Sequence, residues 1–193
     1  MLWKFGVDSA RRVAGHRASA VMPLSYSSPR YPKLPAELHS QLAKIPASGD
    51  RSIRYRPCDV VLDDGEHVRR VYVQEEQSYI TMWGVWPEHD RGKYFIKIER
   101  VSRVVESADR LPARFANKLY EAGESGMGYC IFTVLFDDGS RLPVVSGNAI
   151  DFIVYPPGKS GDNVTGVLPH EGRNDPALQK APDYRWCLYS NGA

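Results

Sequence analysis

The sequence predicts an α+β protein with an internal duplication, each copy a helix followed by a small curled antiparallel sheet, the two related by a pseudo-twofold. Three observations lead there. Four short blocks recur in the same order across residues 34–170. Each copy opens on an apolar stripe of helical period. Each then runs into β-branched and aromatic stretches that break at the same Asp-Asp-Gly turn signal.

The first block is Leu34-Pro35-Ala36-Glu37-Leu38 with Leu42, Ser48 and Gly49 behind it. It recurs 77 residues later as Leu111-Pro112-Ala113-Arg114-Phe115, Leu119, Ser125 and Gly126. Val60-Val61-Leu62-Asp63-Asp64-Gly65 then matches Val134-Leu135-Phe136-Asp137-Asp138-Gly139. Trp83-Gly84-Val85-Trp86-Pro87 resembles Phe152-Ile153-Val154-Tyr155-Pro156, and Val101–Val105 resembles Val164–Leu168. Any one block could be chance, but their common order makes repetition the first thing to settle.

The helices are expected over 34–45 and 111–122. Each carries a proline near its first turn, where a missing N–H costs nothing. Leu34, Leu38, Leu42 and Ile45 form one stripe, and Leu111, Phe115, Leu119 and Ala122 form its counterpart, closed by Gly123. Helices this short need a sheet to cover the stripe. In copy one, strands are expected at 58–62 and 68–73, where Val71 and Val73 alternate with Tyr72 so that one face enters a core and the other meets solvent. A third strand over 79–86, an extra one over 94–98 and a closing one over 101–105 follow. In copy two the strands fall at 130–136, 141–145, 150–155 and 164–168. Short hairpin-linked strands of this kind could close as small SH3-like barrels, an analogy of layout only.

The chain divides accordingly into a basic N-terminal arm (1–33), a first repeat (34–107), a second repeat (108–170) and a C-terminal tail (171–193). Trp186, Cys187, Leu188 and Tyr189 give that tail an apolar patch by which to dock on the body. The arm carries six Lys/Arg against the single acid Asp8, whereas the repeats are slightly acidic and the whole chain is formally +2. At 193 residues, 42% hydrophobic, with four Trp, eleven Tyr and six Phe, the body is well supplied for a core. No apolar run approaches the roughly 20 residues of a membrane span, and the amino terminus lacks a secretory pattern. Cys58, Cys130 and Cys187 are odd in number and widely spaced, which favours reduced thiols and a cytoplasmic location.

No motif specifies catalysis, a cofactor or a metal. Gly158-Lys159-Ser160 lacks the glycine-rich run and following helix of a phosphate loop. Asp63/Asp64 and Asp137/Asp138 are explained by turn chemistry, although four carboxylates from two converging turns could hold calcium or magnesium. Cys58 and His67 could meet across a hairpin, but no orienting acid or oxyanion hole accompanies them. The aromatic content is the more informative asymmetry between the copies. Tyr79, Trp83, Trp86 and His89 form the expected partner- or ligand-binding site. Three residues apart on a strand, the two tryptophans would face opposite ways, leaving one off the core. The expected role is therefore a protein–protein or small-ligand interaction module, with homo-oligomerisation allowed. The alternatives are an enzyme with an unrecognised site, or a single-stranded nucleic-acid binder using the arm and Arg54, Arg56, Arg69 and Arg70. The acids interleaved with those arginines count against nucleic acid.

Overall fold

A computed structural model describes residues 30–49 and 53–191. In chain order the elements are α1 (Ala36–Leu42), β1 (Ser48–Gly49), β2 (Arg54–Tyr55), β3 (Pro57–Leu62), β4 (His67–Glu75) and α2 (Glu76–Trp83). Then come β5 (Tyr94–Lys97), β6 (Val101–Val105), α3 (Ala113–Ala122), β7 (Cys130–Phe136) and β8 (Arg141–Ser146). The chain finishes with β9 (Val164–Pro169), β10 (Gln179–Lys180) and β11 (Arg185–Tyr189). The result is a mixed α+β fold with two main sheets. Most of the arm, residues 1–29, lies outside the described residues.

The first sheet has five strands in the order β5-β11-β4-β3-β6, and the second has four, β10-β8-β7-β9. Both are open, so no SH3-like barrel is closed: each ends in a strand with a free side rather than returning on itself. β3 pairs antiparallel with β4 and β6, and β7 pairs antiparallel with β8 and β9. Each of these central strands shifts register by a residue at its last pairing, at Val61/Leu62 and at Leu135/Phe136. At the turns, Gly65 (φ +86°) and Gly139 (φ +81°) take the left-handed conformation that glycine tolerates best. The same bonds close both turns, with Leu62 N–H donating to Glu66 O at 2.8 Å and Phe136 N–H to Ser140 O at 3.0 Å.

α1 lays Leu38, Leu42 and nearby Ile45 on the first sheet's Val60, Val71, Val73 and Val104. α3 lays Ala116 and Leu119 on the second sheet's Phe132, Val134 and Val144. A third cluster, of Tyr55, Tyr72, Tyr79, Phe152, Trp186 and Leu188, fills the seam between the halves. Its existence corrects the expectation that the Tyr72 face of β4 meets solvent. Tyr72 is fully buried, because β4 sends Val71 and Val73 to one core and Tyr72 to the other.

The apolar patch of the tail is more than a docking segment. β11 enters the first sheet between β4 and β5, parallel to both. Just before it, β10 pairs parallel with β8 of the second sheet. Residues 179–189 therefore stitch the two sheets together, sending Trp186 and Leu188 into the seam and Cys187 into the first core.

Two expected strands are absent from the observed fold. Residues 79–86 are not a strand. The run is rich in aromatic and β-branched side chains, but Glu75 caps a helix there by accepting from Gln77 N–H (2.9 Å) and Ser78 N–H (2.7 Å). Gly84, at φ +68°, ends it with its N–H on Ile80 O. Residues 150–155 form only one antiparallel bridge, Phe152 to Arg110, flanked by Leu111 N–H donating to Asp151 O and Ile153 N–H to Asp109 O.

Candidate functional site

The helical course of 76–83 changes the geometry of the expected site. Residues four apart share a helix face, so Tyr79 and Trp83 turn the same way, and Trp86 follows from the connecting loop. Trp83 and Trp86 do not point to opposite faces: both are half-buried against Tyr79, which is fully buried. The Tyr79 ring stacks with Trp83 (centroids 6.3 Å) and Trp86 (6.5 Å), and meets Trp186 edge-on at 4.9 Å. Trp83 meets Trp186 at 5.4 Å, and Trp186 in turn stacks on Tyr72 at 5.0 Å. The result is a continuous aromatic wall running from the surface to the seam.

The described end of the arm closes one side of this wall. Arg30 lies over the Trp86 ring at 5.1 Å, and Tyr31 meets that ring edge-on at 5.6 Å. Both are held by acids. Arg30 pairs with Glu88 at 2.7 Å, the Tyr31 hydroxyl donates to Glu88 at 2.7 Å, and their backbone N–H groups donate to Glu76. Burial opposes the Glu88 carboxylate, but these hydrogen bonds outweigh it and hold its pKa below the ordinary range. His89 is exposed at the end of a short 3-10 turn and, among the described residues, its ring reaches the Arg30 guanidinium at 3.5 Å. It stands beside the wall rather than in it.

Lys93 borders the other side, its ammonium 4.2 Å from the Trp83 centroid and 5.4 Å from that of Tyr79, with Asp90 at 3.5 Å. Burial lowers its pKa, partly offset by Asp90. From Lys93 the surface opens into a cleft of about 490 Å3 between the sheets, lined by Lys93, Tyr94, Tyr129, Lys180, Tyr184 and Trp186 among others. Trp186 is fully buried and its indole N–H has no hydrogen-bond partner among the described residues, as is true of the Tyr79 hydroxyl and the Trp83 indole N–H. Burial, helped by nearby Asp151 and Asp183, pushes the Tyr184 pKa up to about 12. A wider hollow of about 700 Å3 beside the start of α3 is lined by Glu106, Arg110, Arg114 and Asp162 among others, with no aromatic ring.

Below the cleft lies a polar cluster that the sequence does not reveal. Asp151 is fully buried and accepts from the hydroxyls of Ser48, Tyr72 (3.1 Å) and Tyr120 (2.6 Å). The two tyrosine oxygens also accept from backbone, Tyr72 from Asp151 N–H and Tyr120 from Ile150 N–H. Every hydroxyl thus has a partner, and the cluster ties elements of both halves together. Its one sequence signal is an aspartate set inside the otherwise apolar run 149–155.

The other candidates resolve into structural roles. Arg56 donates to the Leu42 and Ile45 carbonyls at the end of α1. Arg69 and Arg70 both pair with Asp109, and Arg70 also donates to Asp183 O. Arg54 is exposed on β2. Asp63 and Asp64 pair with Arg100, and Asp137 and Asp138 with Lys159, so one cation bridges both carboxylates of each turn. That pairing also accounts for Lys159 of the Gly-Lys-Ser run. Among the described residues no group of three or more His, Cys, Asp or Glu side chains could hold a metal ion. Cys58 sits opposite Val71 in the β3–β4 register, donates to that residue's carbonyl and is buried, whereas His67 pairs with Val61 and is exposed. They form no pair.

No helix among the described residues is long and apolar enough to cross a membrane. Comparison with protein-family models, with curated proteins and with solved structures finds no match to this chain.

Proposed function

We propose that this chain is an interaction module that seats a segment of a partner in the cleft between its two sheets, with the Tyr79–Trp83–Trp86 wall as its aromatic backing. One observation carries the reading. Trp186 lines the cleft, yet its buried indole N–H lacks a partner among the described residues. Leaving a buried donor unsatisfied costs roughly 1–3 kcal/mol, and an acceptor brought by a ligand would recover it once the cleft wall over Trp186 moves aside. Aromatic rings with a polar handle are also the side chains in which binding energy concentrates. Engagement of Arg56, Arg69 and Arg70 within the fold weighs against the nucleic-acid alternative, because those guanidiniums already have acceptors.

We also read the two halves as copies of one unit related by a pseudo-twofold. Support comes from the shared helix–hairpin–strand order, the matching register shifts and the matching turn bonds. It comes as well from a third bond common to both, Asp63 N–H to Arg100 O and Asp137 N–H to Asn163 O, at 2.8 and 2.9 Å. On this reading the cleft lies where the copies diverge, since α2 and β5 have no counterparts in the second half.

The test is selection of displayed peptides on the full chain. Enriched peptides should lose at least tenfold in affinity for Lys180→Glu and Tyr129→Ser, with unchanged thermal unfolding. Equal binding to wild type and both variants would remove the cleft from consideration.

A further inference from the structure

Four strands form the outer edges of the two main sheets: β5 and β6 in the first, β9 and β10 in the second. Exposed edges invite pairing with another chain, and folded proteins blunt them with bulges, prolines, extreme shortness or cover. Three of the four follow that rule. β6 carries the register shift against β3, and its Val104 N–H donates to the Gln41 side chain of α1 at 2.7 Å. β9 carries the equivalent shift and ends at Pro169. β10 is two residues long.

β5 is different. It pairs with β11 over Tyr94–Lys97 without any register shift, contains no proline, and has no other strand beside it among the described residues. Its apolar side chains are left open on both faces, Tyr94 at 60% exposure and Phe95 at 42%. Tyr94 borders the seam cleft with Lys93 and Lys180, which pair with Asp90 and with the cleft residue Asp183. Phe95 borders a second hollow, of about 340 Å3, lined by Lys97 and Arg185, which have no ion pair among the described residues, by Arg100, which is held by Asp63 and Asp64, and by the acid Glu66. The undefended edge is therefore flanked on both faces by an aromatic ring and cationic side chains.

We propose that β5 receives one further strand from a partner, an extended acidic peptide segment whose backbone pairs with the free edge and whose alternate carboxylates meet the cations on the two faces. This rests on the interaction reading above and names the partner's chemistry. The charge pattern selects among occupants. A second copy placed edge to edge would bring two sets of Lys97 and Arg185 to one seam, and the chain's own arm is itself strongly basic. An acidic strand brings opposite charge to Lys97 and Arg185. Backbone pairing supplies affinity in such additions and alternate side chains supply specificity.

The probe is a synthetic ten-residue peptide alternating Glu with Val. Its controls are the same peptide with Lys for Glu and a version N-methylated at every second residue, which cannot pair along one edge. Titrated onto the full chain, the acidic peptide should bind at least tenfold better than the lysine peptide, and N-methylation on the pairing edge should abolish binding. Hydrogen exchange should slow at residues 94–97, Lys97→Glu should weaken binding at least fivefold, and affinity should fall as salt is raised. Equal binding of the lysine or N-methylated peptides overturns strand addition. Protection confined to 128–129, 145–147 and 180–184 also overturns it, while leaving the cleft reading intact. Loss on Lys97→Glu without loss on Tyr129→Ser does the reverse. A dimer in light scattering without peptide, broken by Lys97→Glu, assigns the edge to a second copy. Tighter binding after deletion of residues 1–29 assigns it to the arm. Either result overturns the acidic partner.

Discussion

Replacing Asp151 with alanine removes the acceptor shared by three buried hydroxyls, those of Ser48, Tyr72 and Tyr120. Each hydrogen bond to a charged group is worth about 1.5–3 kcal/mol. The tyrosine hydroxyls keep their backbone donors, Asp151 and Ile150 N–H, so they are not stranded entirely. Removing the carboxylate also removes its own burial cost. The net expectation is a loss of about 3–5 kcal/mol, the three bonds less the carboxyl group's own burial cost. Asp151→Asn keeps the volume and one acceptor oxygen and should lose only about 1–2 kcal/mol. The two variants also differ from wild type in pH dependence. Burial raises the Asp151 pKa, and the bonds from Ser48, Tyr120 and Tyr72 with the charge of Arg110 oppose that without cancelling it. The native state then holds the proton more tightly than the unfolded chain, whose aspartates titrate near about 3.9. Wild-type stability from this group is therefore fullest below about pH 4 and declines as pH rises through the native pKa. Asp151→Asn does not titrate, so its deficit should be largest in acid and narrow towards neutrality. Equilibrium denaturation in urea across pH 3.5–8 measures both effects. An alanine loss below about 1 kcal/mol, or an asparagine deficit that widens with pH, would refute the reasoning.

Three further outcomes are expected. Gly65→Val and Gly139→Val should each destabilise by about 1–2 kcal/mol in the same assay, because the left-handed backbone and not lost space is the obstacle at both turns. Tyr79→Ala should lose about 3–5 kcal/mol as a fully buried aromatic, and Trp83→Ala and Trp86→Ala less, since each is half-exposed. All three cysteines are buried and free, and burial pushes the Cys58 thiol up to about 12 and raises Cys130 and Cys187, so a thiol reagent at pH 8 should label the native chain only on the timescale of unfolding.

What could be read from the sequence was what neighbours in the chain determine. The hairpins around Gly65 and Gly139 follow from alternating apolar residues and a turn signal a few positions apart, and β3, β4, β7 and β8 stand within two residues of their expected ends. Residues 79–86 mislead because their side chains favour a strand, whereas two backbone bonds to Glu75 and a left-handed Gly84 decide for a helix. Residues 150–155 mislead differently: their partner is the segment 109–111, some forty residues back, and pairing at that distance leaves no local periodicity.

The candidate site was legible only as composition. Tyr79, Trp83 and Trp86 could be named as unusual, but the residue that turns them into the wall of a cleft is Trp186, a hundred positions later. Its arrival depends on β11 passing between β4 and β5, and the four-residue apolar run Trp186–Tyr189 is what an internal strand covered on both faces looks like. A surface patch that docks would need only one apolar face. The crossing from β10 to β11 thus fixes both the seam and the cleft, through a stretch of chain that pairs with both sheets. A substitution that loosens this stretch, such as Ala181→Pro, which removes the N–H donating to Val145 O, should therefore open the cleft before it unfolds either half. Hydrogen exchange should rise first at 179–189 and at the Tyr72–Trp186 contact, with the α1 and α3 cores still protected. Simultaneous exposure of all three clusters would mean instead that the seam has no independent stability and that the two halves fold only as one.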